Sequence, residues 1–251
     1  RTSTKKELMV IIQFYEKEMQ SINLLMKYLK DTFPQITSLL YTINQKANNT
    51  IYDQKIICYH GQEYIQEEID GLIFNIGPKS FFQTNSEQAK ILYRITKEIA
   101  NINKKDIVYD LYTGTGTIAQ YISSNAKKVI GIDSVEEAIK AANINAKQNN
   151  IKNCTFYAGD MKDIFSNEFI IENGKPNIII VDPPRDGMHK KVVEQILKIK
   201  PKRIIYVSCN SATQARDISL MNDLYKINKI QPVDMFPQTH HVEKTLRDLL
   251  P

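Results

Sequence analysis

From residue 107 onward, short runs rich in Ile and Val alternate with stretches of helical spacing, and this alternation constrains the fold more than any other feature. The runs lie at 107–111, 129–133, 155–157, 177–182 and 203–208, and helices are read at 135–149, 190–199 and 212–221. Consecutive apolar positions suit strands buried on both faces, as in parallel sheets covered by helices. In such sheets ligands gather outside the carboxyl ends of the strands. Asp110, Asp133, Asp160, Asp182 and Cys209 fall at or just after those ends, so one crevice is expected to receive all of them.

The first run breaks into Tyr112-Thr113-Gly114-Thr115-Gly116-Thr117. Glycines without a Cβ let the backbone turn sharply and approach a ligand, and the helix that follows offers free N–H groups in its first turn. The pattern is compatible with a dinucleotide loop, an S-adenosylmethionine loop or an ordinary strand-to-helix turn. Asp133, closing the next strand, is placed to accept hydrogen bonds from both ribose hydroxyls, which suits either cofactor.

Residues 1–78 have another texture. A strand over 7–14 and an amphipathic helix over 16–29 precede short strands at 36–43, 55–59, 64–69 and 72–76, with turns at Asn48-Asn49, His60-Gly61 and Asp70-Gly71. This predicts a small α+β subdomain over 1–78 and a second domain over 79–251, opened by a helix at 86–100. Composition narrows the class: 42% hydrophobic and 24% charged residues describe an ordinary globular protein. No apolar run reaches membrane-spanning length and no apolar leader opens the chain. A cytoplasmic monomer is expected, and the missing initiator Met reads as a fragment of a longer chain. Cys58, Cys154 and Cys209 form no C-x-x-C pair, so no metal site is expected. The net charge of +5 permits a polyanionic partner without requiring one.

Three further stretches stand out. Ile178-Ile179-Ile180-Val181-Asp182-Pro183-Pro184-Arg185 puts an acid and a stiff turn at a strand end. In methyltransferases acting on the amino groups of adenine or cytosine, the position after Pro-Pro is usually aromatic, so Arg185 argues against that class. Ser208-Cys209-Asn210 puts a thiol at the next strand end, and 234–243 brings Glu243. Taken singly, such a cysteine is usually a small buried hydrophobe, and Glu243 is a surface carboxylate.

Taken together, Phe82-Gln83-Thr84-Asn85, Asp110-Leu111-Tyr112-Thr113-Gly114, Asp182-Pro183-Pro184-Arg185, Ser208-Cys209-Asn210 and His241-Val242-Glu243 resemble, in order, the motifs of the RNA uracil-C5 methyltransferases. These enzymes make 5-methyluridine in tRNA and large-subunit rRNA. The resemblance implies an α/β fold with a Rossmann-like S-adenosylmethionine-dependent methyltransferase sheet, an RNA substrate, with large-subunit rRNA favoured over tRNA, and S-adenosylmethionine as cofactor. It assigns cofactor contacts to Gln83, Tyr112, Gly114, Asp133, Asp160 and Asp182, and substrate contacts to Asp182 and Arg185. Cys209 becomes the nucleophile and Glu243 the general base. Those residue types suit the reaction. Uracil C5 is a poor nucleophile until a thiolate adds to C6, and the adduct then needs a base to remove the C5 proton. A target base must also leave its stack to reach such a pocket.

The chain departs from the family pattern in placing Ser211 where Pro is common, Asp133 for a frequent Glu and Gln238 for a His. Lys244, Thr245, Arg247 and Asp248 interrupt the apolar run expected after Glu243, leaving the fold of 244–251 open. The family's N-terminal RNA-binding barrel and its cysteine-ligated iron-sulfur cluster have no counterpart in this sequence. Two other classes compete: a cofactor-binding RNA protein without catalysis, and a dinucleotide-dependent oxidoreductase, which would leave Cys209 and Glu243 idle.

Overall fold

The computed structural model describes residues 1–46, 48, 50–239 and 243–249. The chain forms two compact units, Arg1–Ser86 and Glu87–Pro251. In the first, β1 (Met9–Phe14) leads into α1 (Met19–Thr32) and returns to β2 (Ser38–Ile43), which lies parallel to β1, and β3 (Ile57–Gly61) adds antiparallel to β2. Ile22 and Met26 of α1 pack on Ile36, Leu39 and Tyr41. β4 (Ile65–Ile69) and β5 (Leu72–Ile76) form a separate hairpin. Its turn residues Asp70 and Gly71 both have positive φ, 48° and 84°, as a two-residue turn between right-twisted strands requires.

The second unit runs α2 (Ser86–Ala100), β6 (Ile107–Leu111), α3 (Thr117–Ser123), β7 (Lys128–Asp133), α4 (Glu136–Gln148), β8 (Cys154–Ala158), α5 (Met161–Ile164) and α6 (Asn167–Asn173). It continues with β9 (Ile178–Val181), α7 (Lys190–Ile199), β10 (Arg203–Ser208), α8 (Ser211–Ser219), β11 (Lys226–Val233) and β12 (Glu243–Leu249). Seven strands form one sheet in the order β11-β12-β10-β9-β6-β7-β8. The five from β8 to β10 are parallel neighbours, and β12 alone runs against its neighbours. Their Ile and Val side chains are wholly buried: Ile178, Ile179, Ile180, Val181, Ile204, Ile205 and Val207 are all 1% exposed or less. One face packs against Val192, Val193 and Ile196 of α7, Phe169 of α6 and Ile218 of α8. The doubly buried strands therefore show no polar alternation.

The chain order reverses at β6. From there the chain builds outward through β7 and β8, then crosses back to pair β9 on the other side of β6. Such a reversal parts the loops at the carboxyl ends and opens a crevice between them.

Several elements differ from expectation. The helix read at 16–29 begins three residues later in α1, after Glu18, whose carboxylate caps it by accepting from the N–H groups of Gln20 and Ser21. β11 was not foreseen: it is an edge strand, mostly exposed and broken by lysines and Pro232, as edges exposed to solvent tend to be. The stretch after Glu243, left open by its polar residues, is a regular strand paired on both sides. Thr245 and Leu246 are buried there, so two backbone ladders supply the order that an apolar run would otherwise supply.

Candidate functional site

At the end of β6 the backbone turns through two residues of positive φ, Tyr112 at 65° and Gly114 at 56°, and a third, Gly116 at 75°, opens α3. Gly116 cannot carry a side chain, because a Cβ there would lie 2.8 Å from the Phe156 ring and 3.0 Å from Ala142 Cβ. Asp110 braces the loop from beneath. Its Oδ2 accepts from the Thr113 hydroxyl at 2.6 Å and the Ala119 N–H at 3.0 Å, while Oδ1 has no hydrogen-bond partner among the described residues. The side chain is fully buried, and loss of solvation pushes its pKa up to about 7, against those two hydrogen bonds.

Asp133, at the end of β7, closes the other side of the loop. Its Oδ2 accepts from the Gly114 N–H at 2.8 Å, and its Oδ1 accepts from the Val135 N–H at 2.9 Å at the start of α4. A carboxylate held by two N–H groups keeps free lone pairs for a diol. Burial pushes the Tyr112 hydroxyl up to about 12, against a lowering contribution from the His189 backbone. Asp160 is exposed: it caps α5, and its carboxylate pairs with Lys162 Nζ at 2.5 Å, which holds its pKa below the usual range.

On the far side of β6, the Asp182 N–H donates to the Leu111 carbonyl at 3.3 Å, which joins the end of β9 to the start of the glycine loop. Pro183 is buried and Arg185 is exposed. The Arg185 carbonyl accepts from Asn210 Nδ2 and from Thr213 Oγ1, each at 3.0 Å. The cysteine loop is thereby fastened to the proline loop. Cys209 itself sits half-buried in a tight turn, where the Ser208 hydroxyl accepts from the Asn210 N–H at 3.1 Å and donates to the Asn210 carbonyl at 3.0 Å. Asn210 Oδ1 caps α8 through the Ala212 N–H at 3.0 Å, so Ser211 in place of Pro leaves the helix start capped.

The sheet register brings Cys209 and Glu243 to one end of the β10–β12 pair. Ser208, the last residue of β10, pairs with Lys244 on the antiparallel β12, so Cys209 follows one partner and Glu243 precedes the other. Gln214, buried on α8, donates to the carbonyls of Tyr206 at 3.0 Å and Lys244 at 3.3 Å, fixing both strands near that end. His241 and Val242 of the same motif lie outside the described residues.

The carboxyl ends of β6, β7, β9 and β10 thus carry Tyr112, Gly114, Asp133, Asp182, Arg185 and Cys209 at one edge of the sheet. Gln83 belongs to the first unit, where it is largely buried. Sequence reasoning missed the polar residues of α8: Thr213, Gln214 and Asp217 read as ordinary helix surface. Their spacing on one helical face, continuous with Asn210, was the available signal.

The family model described as tRNA (uracil-5-)-methyltransferase matches residues 2–247. An uncharacterized RNA methyltransferase of Bacteroides thetaiotaomicron is 55% identical over 98% of this chain and 55% of its own length. One from Porphyromonas gingivalis is 53% identical over 98% of this chain and 53% of its own length. The chain therefore spans about half the length of these relatives. Among solved structures, the Pyrococcus abyssi tRNA (uracil-54, C5)-methyltransferase in complex with S-adenosyl-L-homocysteine is 32% identical with a TM-score of 0.81, covering 99% of this chain and 58% of that one. The M. jannaschii tRNA m1G37 methyltransferase, at 14% identity and a TM-score of 0.58 over 97% of this chain and 73% of that one, shares the fold alone. With the matched model spanning the glycine loop, both strand-end loops and β12, the chain belongs to the tRNA (uracil-5-)-methyltransferase family.

Proposed function

We propose that the protein transfers a methyl group from S-adenosylmethionine to C5 of a uridine in RNA, by way of a covalent bond between Cys209 and uracil C6. The observation that supports this reading is the pairing of Ser208 with Lys244, which brings Cys209 and Glu243 to the same end of β10 and β12, while Asn210 and Thr213 tie the Cys209 loop to the loop of Asp182 and Arg185.

The residues fit the cofactor. Asp133 offers carboxylate lone pairs at a strand end, Gly114 and Gly116 leave the loop backbone close to the crevice, and Asp110 places a buried carboxyl beneath it. When bound, S-adenosylmethionine supplies an electrophilic methyl group. Asp133 would hold its ribose, and Tyr112, Gly114, Asp160 and Asp182 would line the rest of its site. A cofactor role for Gln83 rests on its motif alone.

In the chemistry assigned to this chain, the Cys209 thiolate adds to C6 of the flipped uracil, breaking the C5–C6 π bond and placing its electrons in an enolate nucleophilic at C5. Asp182 and Arg185 orient the base. Once C5 is methylated, Glu243 takes its proton, the C5–C6 double bond reforms, and the thiolate leaves. Release of tritium from RNA labelled at uridine C5 tests the reaction directly, and cofactor binding without release would favour a non-catalytic RNA-binding role. Mass mapping of 5-methyluridine in a deletion strain tests large-subunit rRNA against tRNA, the RNA in the names of the family and of the archaeal enzyme.

A further inference from the structure

We propose that Asp217 is a positioning residue that holds the Asp182 loop and the Cys209 loop in catalytic register. The inference rests on the nucleophile reading of Cys209 given above.

Asp217 lies within α8 and is 1% exposed. A buried carboxylate costs solvation that an apolar residue would avoid, so its retention needs a reason in its partners. Oδ2 accepts from the Met188 N–H and from the Tyr206 hydroxyl, both at 2.7 Å. Oδ1 accepts from Arg216 Nε at 2.9 Å and Nη2 at 2.7 Å. These partners come from different places. Met188 ends the loop that begins at Asp182, and Tyr206 lies on β10, the strand that delivers Cys209.

The loop is shaped around this carboxylate. Arg216 Nη2 also donates to the Asp186 carbonyl at 2.8 Å. Gly187 has φ of 78°, and a Cβ there would stand 2.6 Å from both Arg216 Nη2 and Asp217 Oδ2. Only glycine lets the chain pass so close to the ion pair. One and two turns nearer the start of the helix, Thr213 and Asn210 fix the Arg185 carbonyl. Positions 210, 213 and 217 share a helical face, so one side of α8 grips residues 185–188 at both ends. A shift of the Met188 backbone would therefore displace Asp182 and Arg185 relative to Cys209.

The experiment uses the whole protein with RNA carrying 5-fluorouridine at the target. Fluorine at C5 cannot be removed as a proton, so turnover stops at the covalent adduct. Asp217→Ala should slow adduct formation and kcat by on the order of tenfold to a hundredfold, as expected for ångström-scale misplacement. The loss of rate should exceed any loss of cofactor affinity or rise in RNA KM. Asp217→Asn, which retains an acceptor for the Met188 N–H, should recover part of the rate. Thr213→Val preserves side-chain shape and removes one of the two donors to Arg185, so it should slow the adduct in the same sense with an unchanged melting temperature. This second variant keeps the test decisive if Asp217→Ala does not fold. Adduct formation at the wild-type rate in Thr213→Val and in a folded Asp217 variant would overturn the inference, as would losses of rate, cofactor affinity and stability in equal proportion. A wild-type protein that forms no adduct would instead overturn the reading of Cys209.

Discussion

The carboxylate of Asp133 and the backbone N–H of Gly114 are joined by a 2.8 Å hydrogen bond, so the acid that ends β7 also sets the shape of the loop that ends β6. Asp133→Ala should act twice, removing a ribose acceptor and loosening the loop. Calorimetry should show S-adenosylmethionine binding weakened by about 1–3 kcal/mol, the cost of leaving a charged hydrogen bond unmade. Unchanged affinity would remove Asp133 from the site.

Cys209 and Glu243 should fail at different stages. Cys209→Ala should abolish both methylation and exchange of the C5 proton while leaving cofactor binding intact, because no enolate forms. Glu243→Gln should accumulate an enzyme-RNA adduct that survives denaturing electrophoresis and carries the transferred methyl label. Turnover at the wild-type rate without that adduct would assign proton removal to another base. Cys58 and Cys154 serve as controls, and replacing either with Ser should leave adduct formation unchanged.

Asp110 gives a pH signature. Burial lifts its pKa from 3.8 to about 7, so the folded state favours the neutral acid. That contribution to stability is complete below the unfolded pKa and is lost as pH rises through about 7. Urea melts of the wild type and Asp110→Asn should therefore diverge between pH 4 and 7, the wild type losing ground by up to about 1.4 kcal/mol per pH unit. Parallel curves would mean that Asp110 is already ionised in the fold.

Gly116→Ala should destabilise the second unit by about 1–3 kcal/mol, the usual cost of forcing a side chain into the left-handed region, with the clash against Phe156 added. Denaturant unfolding measures it. An unchanged midpoint would show that the loop and the Phe156 ring yield together.

The parallel sheet was legible because Ile178, Ile179, Ile180 and Val181 are buried on both faces and read as one unbroken apolar run. The loops at their ends were legible because glycine and proline punctuate them. α5 and α6 were not: their spans, Met161–Ile164 and Asn167–Asn173, are too short to display a helical period. β11 was hidden by the lysines that protect an edge. Asp217 was hidden for another reason, since an acid inside a polar helix announces nothing until the chain that closes over it is known. Besides its spacing on the face shared with Asn210 and Thr213, it leaves a sequence trace in Gly187, a glycine needed because of a residue far along the chain.

The insertion of β12 between β10 and β11 bears on the order in which the protein can assemble. β11 is made first, yet its neighbour in the sheet among the described residues is β12, and β10 keeps an open edge on that side until β12 arrives. During synthesis the crevice proposed for the cofactor, at the ends of β6 to β9, can therefore form while the ribosome is still extending the chain, whereas the strand that begins with Glu243 docks afterwards. A nascent chain stalled before that point would hold β10 with an unpaired edge, prone to pair with another copy, and would lack the base proposed to finish the reaction.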